Sequence, residues 1–139
     1  MINREIIRLA ACTHNVGLKN KYSHKTSLKN SLCGDKITIE ILIKNTKVRS
    51  IRYETEACIF CEASASLISR KIQNLYIKDI KKDFLYLKKI SNNNKLKIPH
   101  TLSDYKKLFN SVNLSRIKCI ILPFNAVLKA LKWLKNIYF

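Results

Sequence analysis

The chain has 139 residues, 47% of them hydrophobic, and a formal net charge of +18 from 27 Lys and Arg against 9 Asp and Glu. That length suits a single domain spanning residues 1–139, with enough apolar side chains for a core. No apolar run approaches the ~20 residues of a membrane span, and Met1-Ile2-Asn3-Arg4-Glu5 opens no signal-peptide layout. A cytoplasmic protein with no membrane partner is therefore expected. The charge raises nucleic acid or an acidic protein as a partner. The basic residues are mostly lysine, however, scattered from Arg4 to Lys135 among frequent Asn and Ile, as in chains from AT-rich genomes. No helix-turn-helix, zinc-finger or RNP-type aromatic signature accompanies them, so a nucleic-acid-binding module is kept only as the lowest alternative.

In chain order, residues 2–12 read as a short helix with Ile6, Ile7, Leu9, Ala10 and Ala11 as its apolar patch. Residues 13–32 are polar and irregular, with a short strand predicted near Lys25–Lys29. Ile37, Ile39, Ile41 and Ile43 then alternate with Thr38, Glu40, Leu42 and Lys44, the period-2 pattern of a strand with one apolar face. Asn45-Thr46 makes a turn, and Val48–Glu56 returns as the second arm of an antiparallel hairpin. Ala57 to about Tyr76 reads as a loop and then a helix whose buried side holds Ala63, Ala65, Leu67, Ile68, Ile72 and Leu75. A further helix covers about Ile77–Ile90, and Ser91–Lys95 is a surface loop. A short helix over Leu102–Phe109 is predicted with Thr101 or Ser103 as its cap. The last helix is predicted to start near Pro123, since proline is tolerated in a first turn. It would turn Phe124, Val127, Leu128, Leu131, Leu134 and Tyr138 inward and Lys129, Lys132 and Lys135 outward.

Five cysteines, an odd number, fit a reducing compartment in which thiols act as metal ligands or redox groups. Three stand in distinctive phrases: Leu32-Cys33-Gly34-Asp35, Ala57-Cys58-Ile59-Phe60-Cys61 leading into Ala63-Ser64-Ala65-Ser66, and Arg116-Ile117-Lys118-Cys119 before Pro123. On an extended chain Cys33 and Asp35 share a face, and a bound cation would neutralise both. Cys33 as a small buried hydrophobe and Asp35 as a turn residue is the competing interpretation. Cys58 precedes a predicted helix start, whose free N–H groups favour a thiolate. Cys119 is also read as close to a helix start, beside Lys118 and Arg116, which would lower its pKa. Each could instead be a core cysteine. Three thiolates and one carboxylate would complete a four-coordinate site. Cys58-x-x-Cys61 has no second such pair and no βαβ context, which argues against a zinc finger or thioredoxin motif. His14, His24 and His100 lack ligand spacing and read as solvated loop residues.

Taken together and in this order, the three phrases resemble the N-terminal family of the IscU, SufU and NifU iron–sulfur cluster assembly scaffolds. The stretch between Cys58 and Cys119 is similar to that of the SufU branch. The resemblance implies that Cys33, Asp35, Cys58 and Cys119 are the metal and cluster ligands, holding Zn²⁺, iron or a nascent [2Fe–2S] cluster. It also implies a cysteine desulfurase as partner, Cys33 or Cys119 as persulfide acceptor, and downstream assembly or recipient proteins. A carrier rather than an enzyme is expected; a zinc-dependent sulfurtransferase that activates the desulfurase is the alternative. Lys118 replaces the histidine of IscU proteins, Cys61 and Ala57 replace small residues, and the Leu-Pro-Pro-Val-Lys-like segment is absent. Cys61 is read as a buried thiol, with an extra ligand or a persulfide relay as alternatives. The expected fold is α+β: a small antiparallel sheet of about three strands covered on one side by helices, with the three ligand loops meeting at one edge.

Overall fold

The computed structural model describes residues 4–31, 33–92, 98–109 and 114–131. Helix α1 (Arg4–Ala11) leads into three antiparallel strands, β1 (His24–Lys29), β2 (Lys36–Lys44) and β3 (Lys47–Glu56), in the order β1-β2-β3. Helices α2 (Ile59–Lys71) and α3 (Ile77–Asn92) follow, then a 3-10 turn (His100–Tyr105) running into the short α4 (Lys106–Phe109), and α5 (Leu114–Ala130). This is the expected α+β architecture. Among the described residues no helix is long and apolar enough to cross a membrane.

The hairpin follows from its sequence. Ile37, Ile39 and Ile41 are buried on the inner face, opposite Ile51 and Tyr53 of β3. Each fully buried isoleucine contributes about 2–3 kcal/mol. Asn45 (φ 54°) and Thr46 (φ 62°) both sit in the left-handed region, the turn geometry that matches strand twist. Asparagine tolerates this well; β-branched Thr46 is strained there. A register shift between Leu42 and Ile43 bulges β3 at Arg49.

The helices cover the inner face of the sheet. Helix α5 packs on β1 and β2, and α2 lies between α1 and α5. Every residue from Phe60 to Ser69 except Glu62 is buried. Small Ala and Ser side chains make that possible, because they let helices approach on several sides. Phe84, Tyr105 and Phe124 form an aromatic cluster, the closest pair being Phe84 and Phe124 at 4.8 Å between centroids.

The segment after α1 straps the outer side of the sheet. Gly17 N–H donates to the Tyr53 carbonyl and Tyr53 N–H to that of Asn15, which covers one end of the β3 edge. Arg52 donates to the carbonyls of His14, Val16 and Gly17. Its cross-strand partner Glu40 accepts the N–H groups of Lys19 and Asn20. The other end of that edge pairs with residues 74–77, where Val48 N–H donates to Leu75 and Asn74 N–H to Val48.

Several element limits differ from expectation. Helix α2 stops at Lys71, because Asn74 (φ 68°) turns the chain out, and Leu75 is 36% exposed rather than inward. Ile7 also faces out, leaving Ile6 and Leu9 as the buried side of α1. Pro99, with no side-chain cap bond, occupies the cap position expected for Thr101 or Ser103. His24 is in β1 and His100 opens the 3-10 turn, so neither is in a loop; His14 is exposed as expected. The largest correction concerns the last helix. It runs from Leu114, with Pro123 in its interior rather than its first turn. Phe124, Val127, Leu128 and Leu131 are buried and Lys129 exposed, as expected. Lys132, Leu134, Lys135, Tyr138 and the Asn93–Lys95 part of the predicted surface loop lie outside the described residues.

Candidate metal centre

Three chain segments meet at the end of the sheet where β2 begins and β3 finishes. The first is the tight link from β1 to β2. Asn30 N–H donates to the Asp35 carbonyl and Gly34 N–H to that of Asn30, at 2.7 and 2.8 Å. Gly34 adopts φ 79°, which a side chain would resist. Cys33 and Asp35 are thus brought together by a turn, not by the extended chain that their spacing suggested. Cys33 is exposed, so it is not a small core residue, whereas Asp35 is only 5% exposed.

The second segment is the start of α2. Cys58 occupies the N-cap position with extended backbone and no side-chain cap bond. Its N–H donates to Asp35 Oδ1 at 3.0 Å. The third is α5, which carries Cys119, 2% exposed, in its second described turn. Cys119 is therefore not near a helix start, and no N-terminal dipole lowers its pKa. Burial, then the Cys58 thiol, push it up instead.

Cys33 Sγ and Cys119 Sγ are 3.8 Å apart, and these two sulfurs and an Asp35 carboxylate oxygen lie within 4.8 Å of one another. Two thiolates on one tetrahedral zinc ion, with Zn–S bonds of about 2.3 Å, stand about 3.8 Å apart. The Cys58 thiol borders this triplet and interacts with both Asp35 and Cys119. Burial alone would raise the Asp35 carboxyl. The Cys58 backbone N–H and the thiols of Cys58, Cys119 and Cys33 outweigh it and hold the group below its ordinary value. Asp35 Oδ2 remains buried with no hydrogen-bond donor. A buried carboxylate oxygen without a donor is costly, and a cation would relieve that cost. The donor set, soft sulfur plus one hard oxygen, suits Zn²⁺ or iron.

The remaining cysteines do not join this group. Cys61 is fully buried behind it, and burial, then the nearby Asp35, raise its thiol well above the ordinary value. Such a thiol is inert toward nucleophilic chemistry. Cys12 lies elsewhere, half-buried after α1, where the His14 backbone N–H lowers its pKa. At the rim, the Arg116 guanidinium stacks over the Phe60 ring at 5.5 Å. Sequence reasoning missed the Cys58 N–H as the partner of Asp35, because a backbone donor has no residue identity. It also missed the Ser64 hydroxyl, which donates to the Ile120 carbonyl at 2.6 Å.

The chain is thus a small α+β module that gathers two thiols and a carboxylate, donors of the metal-ligating kind, at one end of its sheet. The chain belongs to the family of NifU-like N-terminal domains, whose model matches residues 2–133. It is 30% identical over 109 residues, 75% of this chain and 73% of the relative, to the iron–sulfur cluster assembly scaffold protein IscU of Thermotoga maritima. Two solved structures share the fold. The N-terminal part of a NifU-like protein from Brucella abortus superposes with TM-score 0.82 at 17% identity, covering 98% of this chain and 95% of the other. A protein of Fervidobacterium islandicum, described as a cluster assembly scaffold for the SUF system, gives 0.83 at 20% identity, covering 94% and 96%.

Proposed function

We propose that the protein is a scaffold on which iron–sulfur clusters are assembled, with Cys33, Asp35, Cys58 and Cys119 holding iron or a nascent [2Fe–2S] cluster as cargo. The observation that carries this reading is the Cys33–Cys119 sulfur pair, 3.8 Å apart, beside a buried carboxylate oxygen that lacks a donor. The family and the name of the Thermotoga relative support it. The thiolates supply the soft ligands that clusters require.

Sulfur would arrive from a cysteine desulfurase. A Cys33 thiolate attacks the outer sulfur of the desulfurase's cysteine persulfide. A new S–S bond forms on Cys33, the old one breaks, and the desulfurase cysteine leaves as a thiolate. Cys33 suits this step because it is exposed, whereas Cys119 is buried. Cys119, 3.8 Å away, is the next sulfur the cargo meets.

A second reading rests on the same sulfur pair. Its 3.8 Å spacing also suits two thiolates on tetrahedral zinc, as a zinc-dependent sulfurtransferase that activates the desulfurase would need. Metal analysis of freshly purified protein, then anaerobic reconstitution with iron, a desulfurase and cysteine, separates the two. The scaffold shows visible charge-transfer bands, and Cys33→Ser, Cys58→Ser or Cys119→Ser weakens them. Tight zinc without such bands favours the sulfurtransferase. Protein that holds neither metal nor cluster overturns both.

A further inference from the structure

Helix α5 carries Cys119 under an unusual backbone arrangement. Pro123, inside the helix, has no N–H, so the bond that would hold the carbonyl of the residue four positions earlier cannot form. That residue is Cys119. The next carbonyl, Ile120, accepts the Ser64 hydroxyl at 2.6 Å, across 56 residues of sequence. Ser64 and Ile120 are both fully buried, so water does not compete for this bond. Ser64 belongs to α2, the helix that opens at Cys58. The bond therefore joins the helix that Cys58 caps to the helix that carries Cys119. Ser69, in the same buried run of α2, instead donates to the Ser66 carbonyl and accepts from Asn15.

We propose that Ser64 is a positioning residue for Cys119: its hydroxyl anchors the neighbouring Ile120 carbonyl to α2 in the same turn where Pro123 leaves the Cys119 carbonyl without its helical donor. This rests on Cys119 being a ligand of the cargo. One cross-helix hydroxyl then sets how far the Cys119 sulfur can move from that of Cys33. Removing the hydroxyl frees the thiol; restoring the helical N–H holds it. A scaffold must both retain and surrender what it carries, and a tether that adds one side-chain bond to the packing of α5 tunes that balance.

The test uses full-length Ser64→Ala, Ser64→Thr and Pro123→Ala proteins, each checked for folding by circular dichroism. The first readout is the rate at which bound Zn²⁺ passes to a chromophoric chelator. The second needs no metal: the rate at which diamide oxidises Cys33 and Cys119 of the metal-free protein to a disulfide, the two thiols losing two electrons and two protons to the diamide. The sulfurs must close from 3.8 Å to about 2.05 Å, so a change of this rate in variants that leave the Cys33 turn untouched reports Cys119 movement. Ser64→Ala should raise both rates about fivefold, as for the loss of one buried hydrogen bond. Ser64→Thr should restore them, and Pro123→Ala should lower them. Folded Ser64→Ala and Pro123→Ala proteins with wild-type rates in both assays overturn the proposal. If Ser64→Ala does not fold, Pro123→Ala decides: slower rates support the proposal and unchanged rates overturn it. Wild-type protein that binds no Zn²⁺, but whose disulfide rate follows the variants, sinks the ligand reading and leaves the tether standing.

Discussion

Two buried carboxylates, five residues apart in sequence, have opposite fates. Glu40 is 1% exposed, and Oε1 accepts two backbone N–H groups of the strap at 2.8 and 3.1 Å. Its Oε2 forms no hydrogen bond but faces the Lys25 ammonium at 3.5 Å. Asp35 is 5% exposed, yet only Oδ1 receives a donor, and Oδ2 is left among thiols. The fold sets a cation beside the donor-free oxygen of the first acid and, among the described residues, none beside that of the second. The lesson is that burial alone does not mark a site; a buried acid with an unfilled valence does.

The largest expected effect falls on the first acid. Glu40→Ala orphans two backbone donors and should cost about 3 kcal/mol of unfolding free energy in urea, with metal affinity unchanged. A loss below about 1 kcal/mol breaks the contrast. Asp35→Asn should do the reverse. Zn²⁺ affinity by competition with a chelator should fall about tenfold or more, while the metal-free protein's stability shifts by less than about 1 kcal/mol. Arg52→Lys removes the fork that holds three strap carbonyls and should cost about 1–2 kcal/mol, read by thermal or urea unfolding.

The smallest effect comes from a third acid. Burial, then the Asp79 carboxylate, raise the Asp83 pKa in the folded state. The fold therefore disfavours its charge. Stability falls as pH rises through the unfolded and then the folded value, and the penalty is complete above both. Asp83→Asn should add about a few tenths of a kcal/mol at pH 7, because the half-buried site is screened by water, and nothing near pH 3. Urea titrations at the two pH values check it; an equal gain at both contradicts the electrostatic cause.

The hairpin was legible because isoleucine alternation and the Asn45-Thr46 turn point to the same register. Helix α2 was legible in place but not in length, since nothing in Asn74 announces a left-handed turn until the chain is folded. Helix α5 was misread because Pro123 is a start signal in most contexts, and the apolar Cys119–Leu122 run before it shows no period. Of the candidate site, the spacing of Cys33 and Asp35 was visible in the sequence. The bonds that orient the site were not: the Cys58 N–H is a backbone group, and the Ser64 hydroxyl acts across 56 residues.

One edge of the sheet, along β3, is sealed at both ends by residues 15–17 and 74–77. The outer side of β1 has no neighbouring strand among the described residues. Two copies zipping together there, antiparallel about Ser27, would set Lys25 of each against Lys29 of the other. Like charges directly opposed repel, even with Glu40 beside one of them. In that register Lys25 and Lys29 therefore work against edge-to-edge pairing of the open strand.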